Sequence, residues 1–178
     1  MQAPAQHPDA AAQTRRALAW THGARFLVTA SRLDQLPPTE LPAWRDACER
    51  ALALVAAAFD TCFGAATPLA TLRLHGDCHR GNVLWRDGAP HVVDLDDAMQ
   101  GPAVQDLWML VSGDAATMSQ QLNTLLSGYE QFSDFDDRER RLIEPLRTLR
   151  MVRHSAWLAE RWGDPTFPIH FPFFGTAA

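Results

Sequence analysis

The chain has 178 residues, a hydrophobic fraction of 47% and a formal net charge of -5. These values are typical of a globular domain with a substantial core, and the acidic balance argues against a nucleic-acid partner. No apolar stretch is long enough to span a membrane and no secretory signal is visible, so we expect a protein of the reducing cytoplasm.

The N-terminal third carries weak signals before the first clear helix. Residues 1–14 are rich in Ala, Gln and Pro and predict a mobile leader, with the folded domain over residues 15–178. A helix is predicted from about Pro42, which suits a first turn, to a stop at Gly64. Its apolar positions recur at steps of three and four residues: Trp44, Cys48, Ala51, Val55, Ala58 and Cys62. The cysteines in this pattern are expected in the core, and without a CxxC pair they predict neither disulfide framework nor zinc site.

Three short apolar runs follow the helix, at 72–74, 83–85 and 91–95. Asp87-Gly88, between the second and third runs, is a strong signal for a tight turn. We therefore predict a small β-hairpin built from these two runs.

From Pro102 onward the apolar residues have helical spacing. The helix that Pro102 can open has apolar positions Val104, Leu107, Leu110 and Val111. The next helix is predicted to present one apolar face: Met118, Leu122, Leu125, Tyr129 and Phe132. A third helix is predicted from about Asp137 to Trp162, bent or delayed by Pro145 and ended by Gly163. The fold class is therefore α+β, predominantly helical, with a small β-hairpin near the polar residues that could do chemistry.

The most informative stretch is the octet at 75–82, which reads HGDCHRGN. Protein kinases have a catalytic loop of the form H-R-D-L-x-x-x-N, in which the asparagine lies five positions after the aspartate. In this chain Asn82 lies five positions after Asp77, His75 lies two before it, and Asp94 follows after one strand and a turn. Phosphoryl transfer needs a carboxylate to accept the proton of the attacking hydroxyl and oxygen ligands for magnesium. The spacing predicts that one loop and the neighbouring strand supply both.

At this point the sequence resembles a known family. Residues 74–110 are similar to the bacterial stress response kinases, which belong with the aminoglycoside and choline phosphotransferases and share their protein-kinase-like fold. The similarity continues through residues 129–132 and 142–147 and the Phe-Pro-rich end. The resemblance implies that the chain is the C-terminal lobe of a protein-kinase-like fold. It also implies an enzyme that transfers the γ-phosphate of ATP to a hydroxyl group, either of a protein serine or threonine or of a small molecule.

The same resemblance assigns roles to individual residues. It implies that Asp77 is the catalytic base, that Asp94 acts with it, and that Asn82 and Asp94 bind Mg²⁺ and so help to hold the nucleotide. It further implies that Asp106 braces the loop by accepting backbone hydrogen bonds. His75 is expected to pack beneath the loop as a structural residue.

The chain departs from the family in the part that would hold ATP. All sixteen basic residues are arginine, so the chain has no lysine to contact the phosphates, and it has no G-x-G-x-x-G run. Arginine does not replace a compact ammonium well. We therefore expect that the N-terminal ATP-binding lobe is absent, that it would pack on this lobe in the intact family enzyme, and that the fragment alone is inactive.

Two alternatives belong to other classes. The chain could be a non-catalytic remnant that binds a partner through the apolar surface a missing lobe would cover. It could also be a metal-dependent hydrolase that binds its metal through His75, Asp77 and His79. The hydrolase is the weaker alternative because the remaining histidines are scattered without a motif.

Overall fold

In a computed structural model of the chain, the described residues are 41–64, 66 and 69–174. The expected leader at 1–14, the stretch from there to residue 40 and the side chain of Trp44 lie outside this description. The helices and strands are, in chain order, α1 (Leu41–Phe63), β1 (Leu72–Leu74), β2 (Val83–Arg86), β3 (Ala89–Val92), β4 (Met99–Gly101), α2 (Val104–Leu107), α3 (Ala115–Tyr129), α4 (Ile143–Arg161) and α5 (Phe167–His170). Segments of 3₁₀ helix lie at Arg80–Asn82, Trp108–Leu110 and Asp137–Leu142. The described residues form two compact units, one of 66 and 69–143 and one of 41–64 and 144–174.

Helix α1 confirms the predicted element and shifts its buried face slightly. Its buried side chains are Cys48, Leu52, Val55, Phe59, Cys62 and Phe63. The predicted positions Ala51 and Ala58 are half-buried, because burying the larger side chains next to them removes more apolar area from water. The helix ends before Gly64, whose N–H donates to the Asp60 carbonyl at 2.8 Å.

The last long helix, α4, confirms the delayed start. The chain runs as 3₁₀ helix from Asp137 and becomes α-helical at Ile143, which places Pro145 in the first turn, where its missing N–H costs no hydrogen bond. Beyond the end of α4 at Arg161, α5 and the residue that follows it each add one ring to the aromatic group around Trp157. The ring centroids of Phe167 and Phe171 lie 5.1 Å and 6.0 Å from that of Trp157.

The strands of the described residues form two separate antiparallel ribbons of two strands each. Strand β1 pairs with β4, and β2 pairs with β3 in a register that places Val83 opposite Val92. The turn between β2 and β3 has positive φ at both Asp87 (53°) and Gly88 (76°), the backbone of a two-residue hairpin turn. The predicted hairpin is therefore confirmed. Its second strand begins at Ala89 and ends at Val92, so the predicted run to residue 95 was too long.

The helices that follow differ in detail from the predicted pattern. The helix expected after Pro102 is one α-helical turn, α2, followed by one 3₁₀ turn, and Val111 lies outside both in extended backbone. Helix α3 begins at Ala115, with Asp114 accepting the Thr117 N–H at 2.8 Å as its N-cap. The prediction that Phe132 lies on the apolar face was wrong, because α3 ends at Tyr129 and Phe132 is 92% exposed.

The architecture is therefore helical with two short ribbons, as the α+β prediction stated. Within residues 41–64, 66 and 69–174, we find no helix with the length and hydropathy needed to cross a membrane.

Candidate active site

The octet 75–82 forms the connection between β1 and β2. Strand β1 buries Leu74, and the chain then turns through Gly76 and closes with the 3₁₀ turn that ends at Asn82. His75, Gly76 and Asn82 are buried, whereas Asp77 is half-buried. The loop therefore has a buried frame from which the carboxylate of Asp77 projects to a more accessible position.

The ring of His75 joins the loop to the end of the second ribbon. Its Nδ1 lies 3.2 Å from the backbone nitrogen of Asp77, and its Nε2 lies 2.8 Å from the carbonyl oxygen of Val93. Because a backbone N–H can only donate, Nδ1 accepts, and the proton on Nε2 is donated to Val93. One imidazole therefore spans the distance between Asp77 and the residue before Asp94. His75 was expected beneath the loop, and its two bonds show how it holds the two segments together.

Asp106 lies beneath the loop and accepts two of its backbone N–H groups. Its carboxylate oxygens are 2.7 Å from the nitrogen of His75 and 2.9 Å from that of Gly76. Gln105 adds a third bond, from its side-chain amide to the Gly76 carbonyl at 2.8 Å. Two adjacent residues of α2 thus bind the backbone of residues 75–76: Asp106 accepts both N–H groups and Gln105 donates to the carbonyl of Gly76. This is the backbone contact that the resemblance implied for Asp106.

Gly76 is required by the space available as well as by the backbone. Its φ is +88°, and a Cβ at this position would lie 2.1 Å from the carbonyl oxygen of Asp97. The same Cβ would be 3.3 Å from the terminal carbon of Met99 on β4. The loop consequently lies directly against the segment that follows Asp94, and only glycine permits this approach.

The two residues expected at magnesium follow directly from this frame. The side-chain amide nitrogen of Asn82 donates to the Asp77 carbonyl at 3.0 Å, so its amide oxygen is the atom that can act as a ligand. Asp94 follows β3 with a left-handed backbone (φ 63°) and is exposed. Between them, the Val93 N–H donates to the Asn82 carbonyl at 3.0 Å. One amide oxygen and one carboxylate from adjacent segments fit a hard cation that keeps most of its other oxygen ligands from water and phosphate.

Sequence reasoning missed two buried residues near the loop, Gln105 and Glu139. The carboxylate of Glu139 accepts the Val104 N–H at 2.8 Å, at the start of the helix that carries Asp106. Burial raises the pKa of Glu139 to about 7, and hydrogen bonds from the backbone of Val104 and Ala103 oppose that shift. No local signal marks either residue, because their partners lie 29 and 35 positions away in the sequence.

The hydrolase alternative does not fit the described side chains. Both ring nitrogens of His75 are engaged by backbone groups, which leaves none for a metal. In the described ranges, no three His, Cys, Asp or Glu side chains lie together as a metal-binding group. A nucleophilic role for Cys78 is also disfavoured, because burial and the carboxylates of Asp106 and Asp77 raise the pKa of its thiol.

Comparison with known proteins defines the class. The model of the phosphotransferase enzyme family matches residues 2–143, which include the octet, Asp94 and Asp106. The chain therefore belongs to the phosphotransferase enzyme family.

The curated proteins that it resembles include stress response kinases. The chain is 62% identical over 107 residues to stress response kinase A of Salmonella choleraesuis strain SC-B67 and to the serine/threonine protein kinase RdoA of Salmonella typhimurium. It is 63% identical over 102 residues to stress response kinase A of Escherichia coli K12. The matches cover 60%, 60% and 57% of this chain but only 32%, 32% and 31% of those proteins. The chain thus spans about a third of the length of the curated relatives it matches.

Solved structures show the same kind of fold. A glucosamine kinase in complex with glucosamine, ADP and inorganic phosphate matches with a TM-score of 0.50 and 22% identity, over 87% of this chain and 43% of that one. A second crystal form of glucosamine kinase matches with a TM-score of 0.50 and 21% identity, over 91% and 46%. The fold is therefore kinase-like, as the sequence predicted.

Proposed function

We propose that this chain supplies the catalytic loop of an ATP-dependent phosphotransferase that transfers the γ-phosphate to a hydroxyl group. The observation that carries the proposal is the His75 ring, which bonds Asp77 on one side and the residue before Asp94 on the other. Family membership and the kinase-like fold support the same reaction class.

In the proposed reaction, Asp77 acts on the acceptor. Its carboxylate orients the hydroxyl and accepts its proton as the oxygen attacks the γ-phosphorus. The new O–P bond forms while the bond from the γ-phosphorus to the bridging β,γ-oxygen breaks, and ADP leaves. The buried loop frame keeps Asp77 in place, since Asp106 and Gln105 bind the backbone immediately before it. The proton then passes from Asp77 to solvent.

Asn82 and Asp94 are proposed to hold Mg²⁺. When bound, this ion supplies neutralisation of charge on the transferring phosphate. The residues of the chain provide an amide oxygen and a carboxylate for it, and the hydrogen bond from Asn82 to the Asp77 carbonyl fixes the direction of that amide.

The acceptor is proposed to be a serine or threonine hydroxyl. The support is the name of the Salmonella typhimurium relative, a serine/threonine protein kinase, to which the chain is 62% identical. Because the proposed reaction consumes ATP, we propose that it takes place in the cytoplasm. A solved structure with a similar fold is a glucosamine kinase, so a small hydroxyl compound is the second kind of acceptor that we propose to assay.

The 178-residue chain alone is proposed to transfer phosphate slowly at most. It contains no lysine to bind the ATP phosphates, and it spans about a third of its relatives. The proposal therefore expects full activity only when the chain is joined to the N-terminal part of such a relative, the part that we propose packs against this lobe. Transfer by the chain alone at the rate of a full-length kinase would refute this part of the proposal.

The joined polypeptide provides the test of the catalytic roles. Asp77→Ala is expected to lower kcat by about 10²–10⁴-fold, the usual loss for a general base. Asn82→Ala and Asp94→Ala should lower transfer and raise the magnesium concentration it requires. Asp134→Ala, a change at an exposed aspartate outside the site, is the matched control. Near-normal turnover by the Asp77 variant would refute the proposed function.

A second candidate, a non-catalytic interaction module, is favoured by one observation. Large apolar side chains on and after the β2–β3 ribbon are exposed: Leu84, Trp85, Val92, Val93 and Leu95. Such a surface is typical of an interface. Light scattering and nucleotide titration distinguish the candidates, because self-association without binding of magnesium–ATP favours the module.

A further inference from the structure

His79, three residues before Asn82, is bound to its own loop through one ring nitrogen. Its Nδ1 lies 3.0 Å from the backbone nitrogen of Gly81 and caps the 3₁₀ turn at Arg80–Asn82. Because that backbone N–H can only donate, Nδ1 must accept. The ring is therefore the tautomer that carries its proton on Nε2.

The protonated nitrogen faces the carboxylate of Asp77. The distance from Nε2 of His79 to Oδ2 of Asp77 is 3.6 Å, with both side chains partly exposed. This is longer than a hydrogen bond, but hydrogen bonds at catalytic groups are often long before substrate binds and shorten in the reacting complex.

Gly81 provides the space that this ring position needs. A Cβ at Gly81 would lie 2.8 Å from Cε1 and 3.0 Å from Nδ1 of His79, and no other heavy atom is among its close contacts. Gly81 has no positive φ, so alanine would be tolerated by the backbone. Gly81→Ala is therefore a specific way to displace the His79 ring.

We propose that His79 is a positioning residue, which uses Nδ1 to bind the Gly81 N–H and Nε2 to orient the Asp77 carboxylate toward the acceptor hydroxyl. The inference rests on the proposed role of Asp77 as the base. It assigns His79 a role in turnover beyond that of a cap for the 3₁₀ turn.

Two substitutions separate the two ring nitrogens. His79→Asn places an oxygen near the position of Nδ1 and keeps the cap, while His79→Gln places an N–H near the position of Nε2 and keeps the donor toward Asp77. In the joined polypeptide, His79→Asn is expected to lower kcat by roughly 10- to 100-fold with little change in KM. This is the usual loss when a residue that orients a reacting group, without itself touching the substrate, is removed. His79→Gln should remain within about threefold of the parent protein. A residue that only caps the turn gives the reverse order, and that result would overturn the inference.

The Gly81 variant gives an independent kinetic test. Gly81→Ala should lower kcat by a factor similar to that of His79→Asn, and the double variant should be no slower than either single variant, because both remove the same contact. Independent, multiplying losses contradict the inference. Circular dichroism and amide spectra verify that each variant is folded.

Imidazole ¹⁵N spectra of the 178-residue chain test the geometry without activity. The parent chain is expected to show His79 protonated at Nε2 with Nδ1 as acceptor, at alkaline pH where histidine is neutral. Gly81→Ala should lose this tautomer preference, and a ring protonated at Nδ1 in the parent chain would overturn the inference. Full turnover by Asp77→Ala would instead refute the proposed function. That kinetic result would not change what the spectra of the parent chain show about the tautomer of His79.

Discussion

The octet at 75–82 and the β2–β3 ribbon are adjacent in the sequence but are held in place differently. The octet is held by side chains that come from far along the chain, since Asp106 lies 31 residues from His75 and Gln105 lies 29 from Gly76. The ribbon is held by backbone pairing, and all four residues of β3 are exposed. The polar frame therefore fixes the residues proposed for chemistry, while the ribbon presents an apolar surface outward.

Removing the brace of the octet is expected to have the largest effect. Asp106→Ala leaves two loop N–H groups without their acceptor, at a cost of roughly 1–3 kcal/mol each, so we expect a loss of stability of about 4 kcal/mol in urea unfolding. Asp114→Ala removes an exposed N-cap of α3 and should cost clearly less stability than Asp106→Ala. Equal losses for the two variants would contradict the brace.

A glycine from each region makes the comparison more direct. Gly76 and Gly88 both have positive φ, but a Cβ at Gly76 overlaps the Asp97 carbonyl and a Cβ at Gly88 meets nothing within 4 Å. Gly88→Ala should cost about 1 kcal/mol of backbone strain, and Gly76→Ala should cost about 3 kcal/mol or more, since the overlap adds to that strain. Thermal unfolding of both variants measures the difference, which should vanish if the loop does not lie against residue 97.

The protonation of Glu139, which binds the start of the helix that braces the octet, should make the free energy of unfolding depend on pH. Its pKa in the folded chain is about 7, above the ordinary 4.5, so the folded state binds this proton more tightly than the unfolded state. Its contribution to stability is full below pH 4.5 and is lost as pH rises through about 7, a change of roughly 3 kcal/mol. Glu139→Gln should remove this dependence from urea unfolding measured across the range, whereas Glu130→Gln, at an exposed position, should preserve it. An unchanged profile in the Glu139 variant would rule out this origin.

The ribbon is expected to show the smallest effect on stability. Trp85 is 73% exposed, so Trp85→Thr, which keeps a good strand residue, should change the free energy of unfolding by less than about 0.5 kcal/mol. The same change should reduce self-association measured by light scattering. A large loss of stability would show that the indole is needed within the folded chain and is not part of a contact surface.

Local patterns predicted the parts of the molecule that depend on neighbours in sequence. The turn at Asp87-Gly88 needs two residues that accept positive φ, and the periodicity of α1 follows from helix geometry. The kinase-type spacing within 75–82 likewise identified a loop, and the family model and the kinase-like fold agree with that reading.

Long-range contacts were beyond those patterns. The helix after Pro102 stops after one turn of α-helix and one of 3₁₀, and its start is bound by Glu139, 35 residues from Val104. Its residues Gln105 and Asp106 contact the octet across about thirty positions. Phe132 shows the opposite error, because its spacing fits the face of α3 but the helix ends three residues earlier. Only tertiary packing decides these cases.

The most direct test of the central claim is to add Mn²⁺ and a non-hydrolysable ATP analogue to the joined polypeptide and to measure the broadening of its amide NMR signals. If Asp77, Asn82 and Asp94 surround one ion, Mn²⁺ should broaden the amide signals of these residues and their immediate neighbours more strongly than those of the rest of the chain. Asp94→Ala should abolish that broadening, while Asp134→Ala leaves it intact. Broadening centred elsewhere in the chain, or unaffected by Asp94→Ala, would contradict the account.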